Sequence, residues 1–364
     1  MRVALVTESV LPQVNGVTNS VLRVCEQMHR LGHEVLVVAP GDGPTTWAGA
    51  RVVRTPSVPL PVYGDFRLAR PWPGLAATLG QFRPDVVHLA SPAVLGAQAA
   101  FTARRLGFPV VAVYQTNLAG FASPYGLSSA ERAIWRWLRR VHGAAGRTLA
   151  PSRHAVLDLQ RNGVQRVDRW ARGVDLGRFH PLHRDTQLRS RLAPGGELIV
   201  GYVGRLAQEK QVELLVSLRG QPRTKLVIVG DGPRRQHLQR RLPEATFLGF
   251  QSGDQLAETF ASLDVFVHTG PHETFCQAAQ EALASGVPVV GPRAGGLLDL
   301  VEPGVTGQLF VPASGASLRE QVGLLADPGV RERMAVEARR SVEGRGWDVI
   351  GDQLQQHYRE VVSL

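Results

Sequence analysis

Glu273 and Glu281 stand eight residues apart in the run His272-Glu-Thr-Phe-Cys-Gln-Ala-Ala-Gln-Glu-Ala-Leu-Ala-Ser-Gly286-Val-Pro288. The residues after Thr274 favour a helix that Gly286 ends, with a strand to follow. Eight helical residues advance ~12 Å and turn ~80° beyond two full turns. That geometry predicts Glu273 at the helix mouth and Glu281 two turns deeper on roughly the same side. The N–H groups of Thr274, Phe275 and Cys276 would be free at the helix start, where a diphosphate fits. One carboxylate would then hold sugar hydroxyls and the other a ribose. Spacing alone also describes a solvated helix with two surface glutamates, and on spacing alone that plainer alternative is the stronger.

A second group of charges is Gly204-Arg205-Leu-Ala-Gln-Glu209-Lys210, directly after an apolar run at 198–203. Both cations would leave the carboxyl end of a strand. A departing nucleoside diphosphate gathers negative charge, which arginine meets with a planar fork and lysine with a point charge. No Asp-x-Asp pair, the usual clamp for a metal-bound diphosphate, occurs in the chain. An exposed polar loop is an equal reading of these residues taken alone. Near the N-terminus, Pro12-Gln-Val-Asn15-Gly16-Val17 joins the first predicted strand to the first helix, and a glycine there lets backbone approach a phosphate. Gly230-Asp231-Gly232-Pro233 also follows a strand and reads as a simple turn. No G-x-G-x-x-G fingerprint is present, which disfavours a dinucleotide oxidoreductase.

The elements that must carry these residues alternate. Short β-branched runs at 3–7, 34–39, 52–54, 86–89, 110–114 and 147–150 are separated mostly by amphipathic helical stretches. The first of these helices has Val17, Val21, Val24, Met28 and Leu31 on one face and stops at Gly32. The pattern pauses between Val174 and Glu197, where Pro181, Pro194, Gly195 and Gly196 suggest a linker. It then resumes with runs at 198–203, 225–229, 246–250, 264–269, 287–290 and 308–311. Chained βαβ units make parallel sheets covered on both faces. The expectation is an α/β protein of two doubly wound, Rossmann-like domains, 1–180 and 181–346, with strand ends facing a cleft. The length of 364 residues suits two domains.

Apolar residues form 44% of the chain and charged residues 20%, which excludes a disordered or membrane-embedded class. The net charge is +10, and the excess is arginine, since Lys210 and Lys225 are the only lysines. Such a surplus attracts phosphorylated ligands, anionic lipid or nucleic acid. A GC-rich genome explains it equally well. Two distant cysteines, Cys25 and Cys276, match neither a disulfide framework nor a zinc spacing and suggest a reducing compartment. The first apolar run is too short for a signal peptide, and none approaches the ~18 residues of a spanning helix, so a cytoplasmic protein is expected. In 131–141, Arg132, Arg136, Arg139 and Arg140 fall on one helical stripe, with Ile134, Trp137, Leu138 and Val141 largely elsewhere. That pattern suits either an anionic membrane surface or an ordinary amphipathic helix.

Taken in order, these stretches resemble the GT-B glycosyltransferases of the large retaining family 4. Within it they resemble the actinobacterial GDP-mannose-dependent α-mannosyltransferases that act on lipid acceptors. The resemblance runs from the Gly16 loop through GHEVLVVAP at Gly32–Pro40, RGVDLGRFHP at Arg172–Pro181 and VGRLAQEK at Val203–Lys210. It continues through VGDGP at Val229–Pro233 to the Glu273/Glu281 block. It implies a metal-independent hexosyltransferase without cofactor, in which Arg205, Lys210 and Glu273 are catalytic. Gly16, Gln115, Gly204, Thr274, Phe275, Cys276 and Glu281 join them around the donor GDP-mannose. Glu281 would hold the ribose, and Gly295-Gly296 would face the nucleotide. Asn15, Gly16 and Asn117 lie on the acceptor side, and the stretch from Trp347 to 364 crosses back onto the first domain as a helix. Gln115 stands where many family members have histidine, so it can bind but not donate as a cation. The expected partners are a nucleotide-sugar donor, a glycolipid or small-molecule acceptor, and an anionic membrane surface at the inner face of the plasma membrane, without nucleic acid. A UDP-sugar with a soluble acceptor, or a nucleotide-sugar-binding module without catalysis, are the alternatives.

Overall fold

A computed structural model describes residues 1–11, 15–60, 63–116 and 128–363, with the backbone alone at 59–60, 63–67 and 128–130. The chain divides into two compact units, Met1–Arg172 with Trp347–Leu364, and Gly173–Gly346. Each is a mainly parallel sheet flanked by helices.

In the first unit the strands are β1 (Arg2–Val6), β2 (Glu34–Pro40), β3 (Thr46–Trp47), β4 (Ala50–Thr55), β7 (Val86–Leu89), β8 (Val110–Val113), β9 (Arg147–Ala150) and β10 (Val167–Arg169), in the order β10-β9-β8-β7-β1-β2-β4-β3. Only the β3/β4 pair among them is antiparallel. A separate hairpin, β5 (Ser57–Leu60) with β6 (Tyr63–Ala69), was not expected from the sequence pattern. Successive residues of β1 face opposite sides. Val3 and Leu5 pack with Val21, Val24 and Met28 of the helix Gly16–Arg30 and with Ile350, Leu354 and Tyr358. Ala4 and Val6 pack with Leu75, Leu79 and Leu95 on the other face. Both faces are thus covered, which is why the strand is a continuous apolar run. The helix Trp347–Val362 returns to this unit. Trp170 Nε1 donates to Ile350 O at 3.0 Å, His88 Nδ1 meets Tyr358 Oη at 2.6 Å, and Arg147 pairs with Glu360.

The second unit holds β11 (Leu198–Val203), β12 (Thr224–Val229), β13 (Thr246–Gly249), β14 (Val265–Val267), β15 (Val289–Pro292) and β16 (Gly307–Phe310), all parallel, in the order β13-β12-β11-β14-β15-β16. Its core joins Tyr202, Ile228, Val267 and Phe310 to Leu215, Leu238, Leu318 and Met334. The stretch 174–197, whose composition reads as a linker, folds into this unit and includes the helix Thr186–Leu192. The reason is electrostatic: Arg184 and Arg189 both pair with the buried Asp264, each at 3.0 Å, and Asp264 also accepts from Ile199 N. No composition rule exposes a partner so distant in sequence.

Chain order reverses direction across β1/β7 in the first sheet and across β11/β14 in the second. The crevice for a ligand opens at the carboxyl ends of such strand pairs. Gly204 follows β11 and His268 follows β14; Thr7 follows β1 and Ala90 follows β7.

Candidate active site

At the β11/β14 switch of the second unit, the Lys210 ammonium donates to Glu273 Oε1. His268 Nε2 lies 3.2 Å from the same oxygen. Lys210 arrives on the turn Gln208–Lys210, and its carbonyl accepts from Thr269 Oγ1 at 2.7 Å, so the two strand-end loops are tied together. The Tyr202 ring stacks on His268, centroids 6.3 Å apart and planes 11° apart. Burial alone would push Glu273 toward its neutral form, but Lys210 and His268 overcome it and hold the carboxyl well below the usual range. Burial likewise opposes charge on His268, yet Cys276 and Glu273 raise it to about 9. Burial opposes charge on Lys210 as well, and Glu273 reverses the direction, so its pKa lies above the ordinary value.

The Arg205 loop is held from behind. Leu206 N donates to Asp231 O at 2.9 Å, and Arg234 N donates to Leu206 O at 2.9 Å. A Cβ at Gly230 would come within 2.0 Å of Gly204 O, and one at Gly232 within 2.5 Å of Leu206 O. The Gly230-Asp231-Gly232 segment is therefore a backing for the cation loop and more than a turn. Arg205 itself is exposed. On the other side, Gly296 N donates to Glu273 O at 2.8 Å, and a Cβ at Gly296 would lie 2.4 Å from Phe275 Cα. Gly295 has φ +58° and would carry any Cβ to 2.6 Å from Glu273 O. These two glycines permit the close approach that fixes the Glu273 loop.

The helix after this loop begins at Gln277 and runs to Ala284, three residues later than the sequence predicts. Cys276 takes a left-handed backbone, φ +80°, which cannot continue a right-handed helix. Thr274, Phe275 and Cys276 accordingly form the approach to the helix and are buried. The first-turn N–H groups are those of Gln277, Ala278 and Ala279. Glu273 and Glu281 do not share a helix, and the helical spacing argument for them fails: Glu273 sits in the loop and Glu281 on the second turn.

At the β1/β7 switch of the first unit sits the buried guanidinium of Arg172. Arg172 Nη1 donates to Gly16 O at 2.9 Å, and Nη2 donates to Gln115 Oε1. Gln115 Nε2 donates to Ala90 O at 3.1 Å. Both ends of the Gln115 amide are thus engaged within the protein, the oxygen by Arg172 and the nitrogen by Ala90 O. Sequence reading gave Arg172 no role; the signal was an arginine opening the RGVD run after β10. Asn15 Oδ1 accepts from Val17 N at 2.9 Å and Thr18 N at 3.0 Å, so this side chain caps the helix Gly16–Arg30. Buried Glu8, past the end of β1, accepts from Leu95 N in the first turn of the helix Val94–Arg105 and from Ala69 N at the end of β6, and burial pushes its carboxyl up. Asn117 lies outside the described residues. A depression lined by Arg2, His29, His33, Glu34 and Arg51 opens at the amino ends of β1 and β2, the end of the sheet opposite to these loops.

Among the described residues no helix is long and apolar enough to cross a membrane. Both cysteines are free and buried.

Residues 14–178 match Glycosyltransferase Family 4 and residues 183–341 match Glycosyl transferases group 1. A GDP-mannose-dependent alpha-mannosyltransferase of Mycobacterium tuberculosis is 50% identical over 367 residues, covering 99% of this chain and 97% of that protein. One of Corynebacterium glutamicum is 46% identical, covering 100% and 90%. A sulfoquinovosyl transferase of Arabidopsis thaliana is 34% identical, covering 95% and 71%. Among solved structures, Anabaena HepE in complex with UDP superposes with a TM-score of 0.83 at 20% identity, over 99% of this chain and 100% of that one. The first unit's two-sided sheet, the second unit's cation loop and this likeness along the full length agree: the chain belongs to glycosyltransferase family 4, with the GT-B fold.

Proposed function

We propose that the protein is a retaining, metal-independent α-mannosyltransferase that takes mannose from GDP-mannose and passes it to a glycolipid acceptor. The observation that carries the reading is Lys210 paired with Glu273 at the β11/β14 switch, in a chain about half identical to GDP-mannose-dependent enzymes along its whole length. Lys210 and Arg205 take up the charge that grows on the departing diphosphate, and the N–H groups at Gln277–Ala279 add a fixed positive end. Glu273, kept ionised by its two cationic neighbours, holds sugar hydroxyls, and Glu281 holds the ribose. The leaving phosphate oxygen takes the acceptor proton on the same face, so the anomeric configuration is retained. Arg172, aimed by Gln115 and Gly16 O, serves the first unit's side of the reaction.

Lys210→Ala tests this. Turnover of GDP-mannose should fall roughly 10²–10³-fold, as when one transition-state donor is removed. Thermal protection by GDP-mannose, stronger in the wild type than protection by UDP-sugars, should survive largely intact. Equal losses in turnover and protection would refute the transition-state role. Activity should persist in the presence of a chelator.

The acceptor reading extends to an anionic bilayer surface at the cytoplasmic face. In the helix Ser128–Gly143, Trp135, Leu138 and Val141 are buried, while Arg132, Arg136, Arg139 and Arg140 are exposed. Trp137 is half-exposed, and Arg140 lies 5.6 Å over the partly exposed Phe101 ring. The apolar face serves the core, which leaves a basic face with two aromatic rings for headgroups. Co-sedimentation with anionic liposomes at low salt is expected, and Arg136/Arg139/Arg140→Glu should abolish it. Sedimentation unaffected by the triple change would sink the bilayer reading.

A further inference from the structure

We propose that His268, Glu273 and Cys276 form a binding site for a thiophilic divalent cation of the zinc class, and that filling it switches the transferase off. One ligand atom from each residue, a ring nitrogen, a carboxylate oxygen and a thiol sulfur, lie within 4.8 Å of one another. Nitrogen, oxygen and sulfur together are the donor set of a borderline-soft ion, and three protein ligands leave a fourth tetrahedral position for water.

Two independent observations point to a ligand. The first is His268: it is 4% exposed, and neither ring nitrogen makes an aligned hydrogen bond, although Nε2 is close to Glu273. The ring is held by the charges of Glu273 and Cys276 without an aligned hydrogen bond to either nitrogen, and a metal ion that replaces the ring proton would supply the directed bond that is missing. The second is the backbone of Cys276. Its φ of +80° is a conformation glycine adopts freely and other residues do not. A side chain kept there puts sulfur beside His268 against the local preference.

The cation and Lys210 compete for one carboxylate. Lys210 holds Glu273 Oε1, so an incoming dication either displaces the ammonium or repels it from the other oxygen. Binding releases to solvent whatever protons the His268 ring nitrogen and the Cys276 sulfur carry in the metal-free protein, leaving a neutral imidazole and a thiolate on the ion; no electron moves. The binding half of the proposal is independent of the reaction proposed above, whereas the inhibition half rests on it.

The test titrates cobalt(II) into the full-length, metal-free protein. One ion per chain should bind, with a thiolate-to-cobalt absorption band in the near ultraviolet that zinc(II) abolishes by displacement. Cys276→Gly suits the backbone and removes the sulfur, so this variant should fold and lose the band. Cys25→Ser, in the other unit, should keep it. His268→Asn retains the thiol and should weaken cobalt binding by more than the roughly 10–100-fold loss of an outer-shell partner. A missing band in the wild type, a band that survives Cys276→Gly, or unchanged affinity in His268→Asn would each overturn the site. Zinc(II) should suppress mannose transfer from GDP-mannose in the wild type, reversibly by chelator, and should leave the residual rate of Cys276→Gly unchanged. A wild type that shows the band but keeps its full rate in zinc(II) overturns the inhibition. A metal-free wild type without any transfer speaks against the proposed reaction and leaves the spectral result standing.

Discussion

The two units share a sheet plan and differ in how they finish the helix beside each switch point. In the first, Asn15 folds its side chain over the start of Gly16–Arg30 and satisfies two of the orphan N–H groups. In the second, Cys276 makes no side-chain cap on Gln277–Ala284. The same contrast runs through the charges. The first unit buries one guanidinium against an amide and a carbonyl; the second clusters Lys210, His268 and Glu273 around a shared oxygen. One helix start is closed by its own side chain, and the other carries no side-chain cap. Similar folds therefore diverge in chemistry through a handful of strand-end residues.

Breaking the charged cluster is the largest test of this contrast. Glu273→Ala leaves Lys210 and His268 as neighbouring cations, and breaking a buried pair from one side costs about 3–5 kcal/mol. All six tryptophans belong to the first unit, so their fluorescence should hardly register the change. Hydrogen exchange in β11 and β14 should accelerate. Faster exchange spread evenly over both sheets would show that the cluster is not a local feature of the second unit.

The histidines sharpen the comparison through pH. His88 and His142 are buried in the first unit without a carboxylate partner, and burial lowers them to about 3 and about 4. The unfolded chain binds protons near pH 6.5 that the folded chain refuses, so this unit loses stability as pH falls from about 6.5 toward 4. The slope is at most ~1.4 kcal/mol per pH unit for each histidine. His268 has the opposite sign. Its pKa of about 9 stabilises the second unit fully below about pH 6.5, and that contribution disappears as pH rises through 9. Urea midpoints followed by tryptophan fluorescence should drop in mild acid, while exchange in β14 should quicken in mild alkali. If both units weaken at the same end of the scale, burial alone governs these histidines.

What could be read from the sequence follows from range. Apolar runs mark most strands, and the position of Arg205 and Lys210 just past β11 is legible too, because strand identity and loop position are local properties. The eight-residue spacing also marks Glu273, on a helical geometry that the fold does not keep. Its helical relation to Glu281 does not exist, since a left-handed backbone at a cysteine is invisible to a pattern that expects glycine there. Arg172 was missed because its meaning lies in Gly16 and Gln115, far away in sequence. His268 was missed for the same reason, having no ligand spacing to Cys276 that a motif would recognise. The backing role of Gly230 and Gly232 depends on contacts with the loop after another strand. Long-range partners, not residue types, are what the one-dimensional reading lacked.

The smallest test returns to the two helix starts. Asn15→Ala removes a cap whose loss costs about 1 kcal/mol. The cap stabilises the helix Gly16–Arg30, which packs on β1 through Val21, Val24 and Met28. A lower urea midpoint by tryptophan fluorescence is expected from that loss alone. If the open helix start in the second unit is what receives the diphosphate, closing or opening the start in the first should leave donor protection intact. GDP-mannose should then raise the melting temperature of Asn15→Ala by as much as it raises that of the wild type. A variant that loses protection along with stability would mean that the capped helix also meets the donor, and the division between a closed and an open end would have to be abandoned.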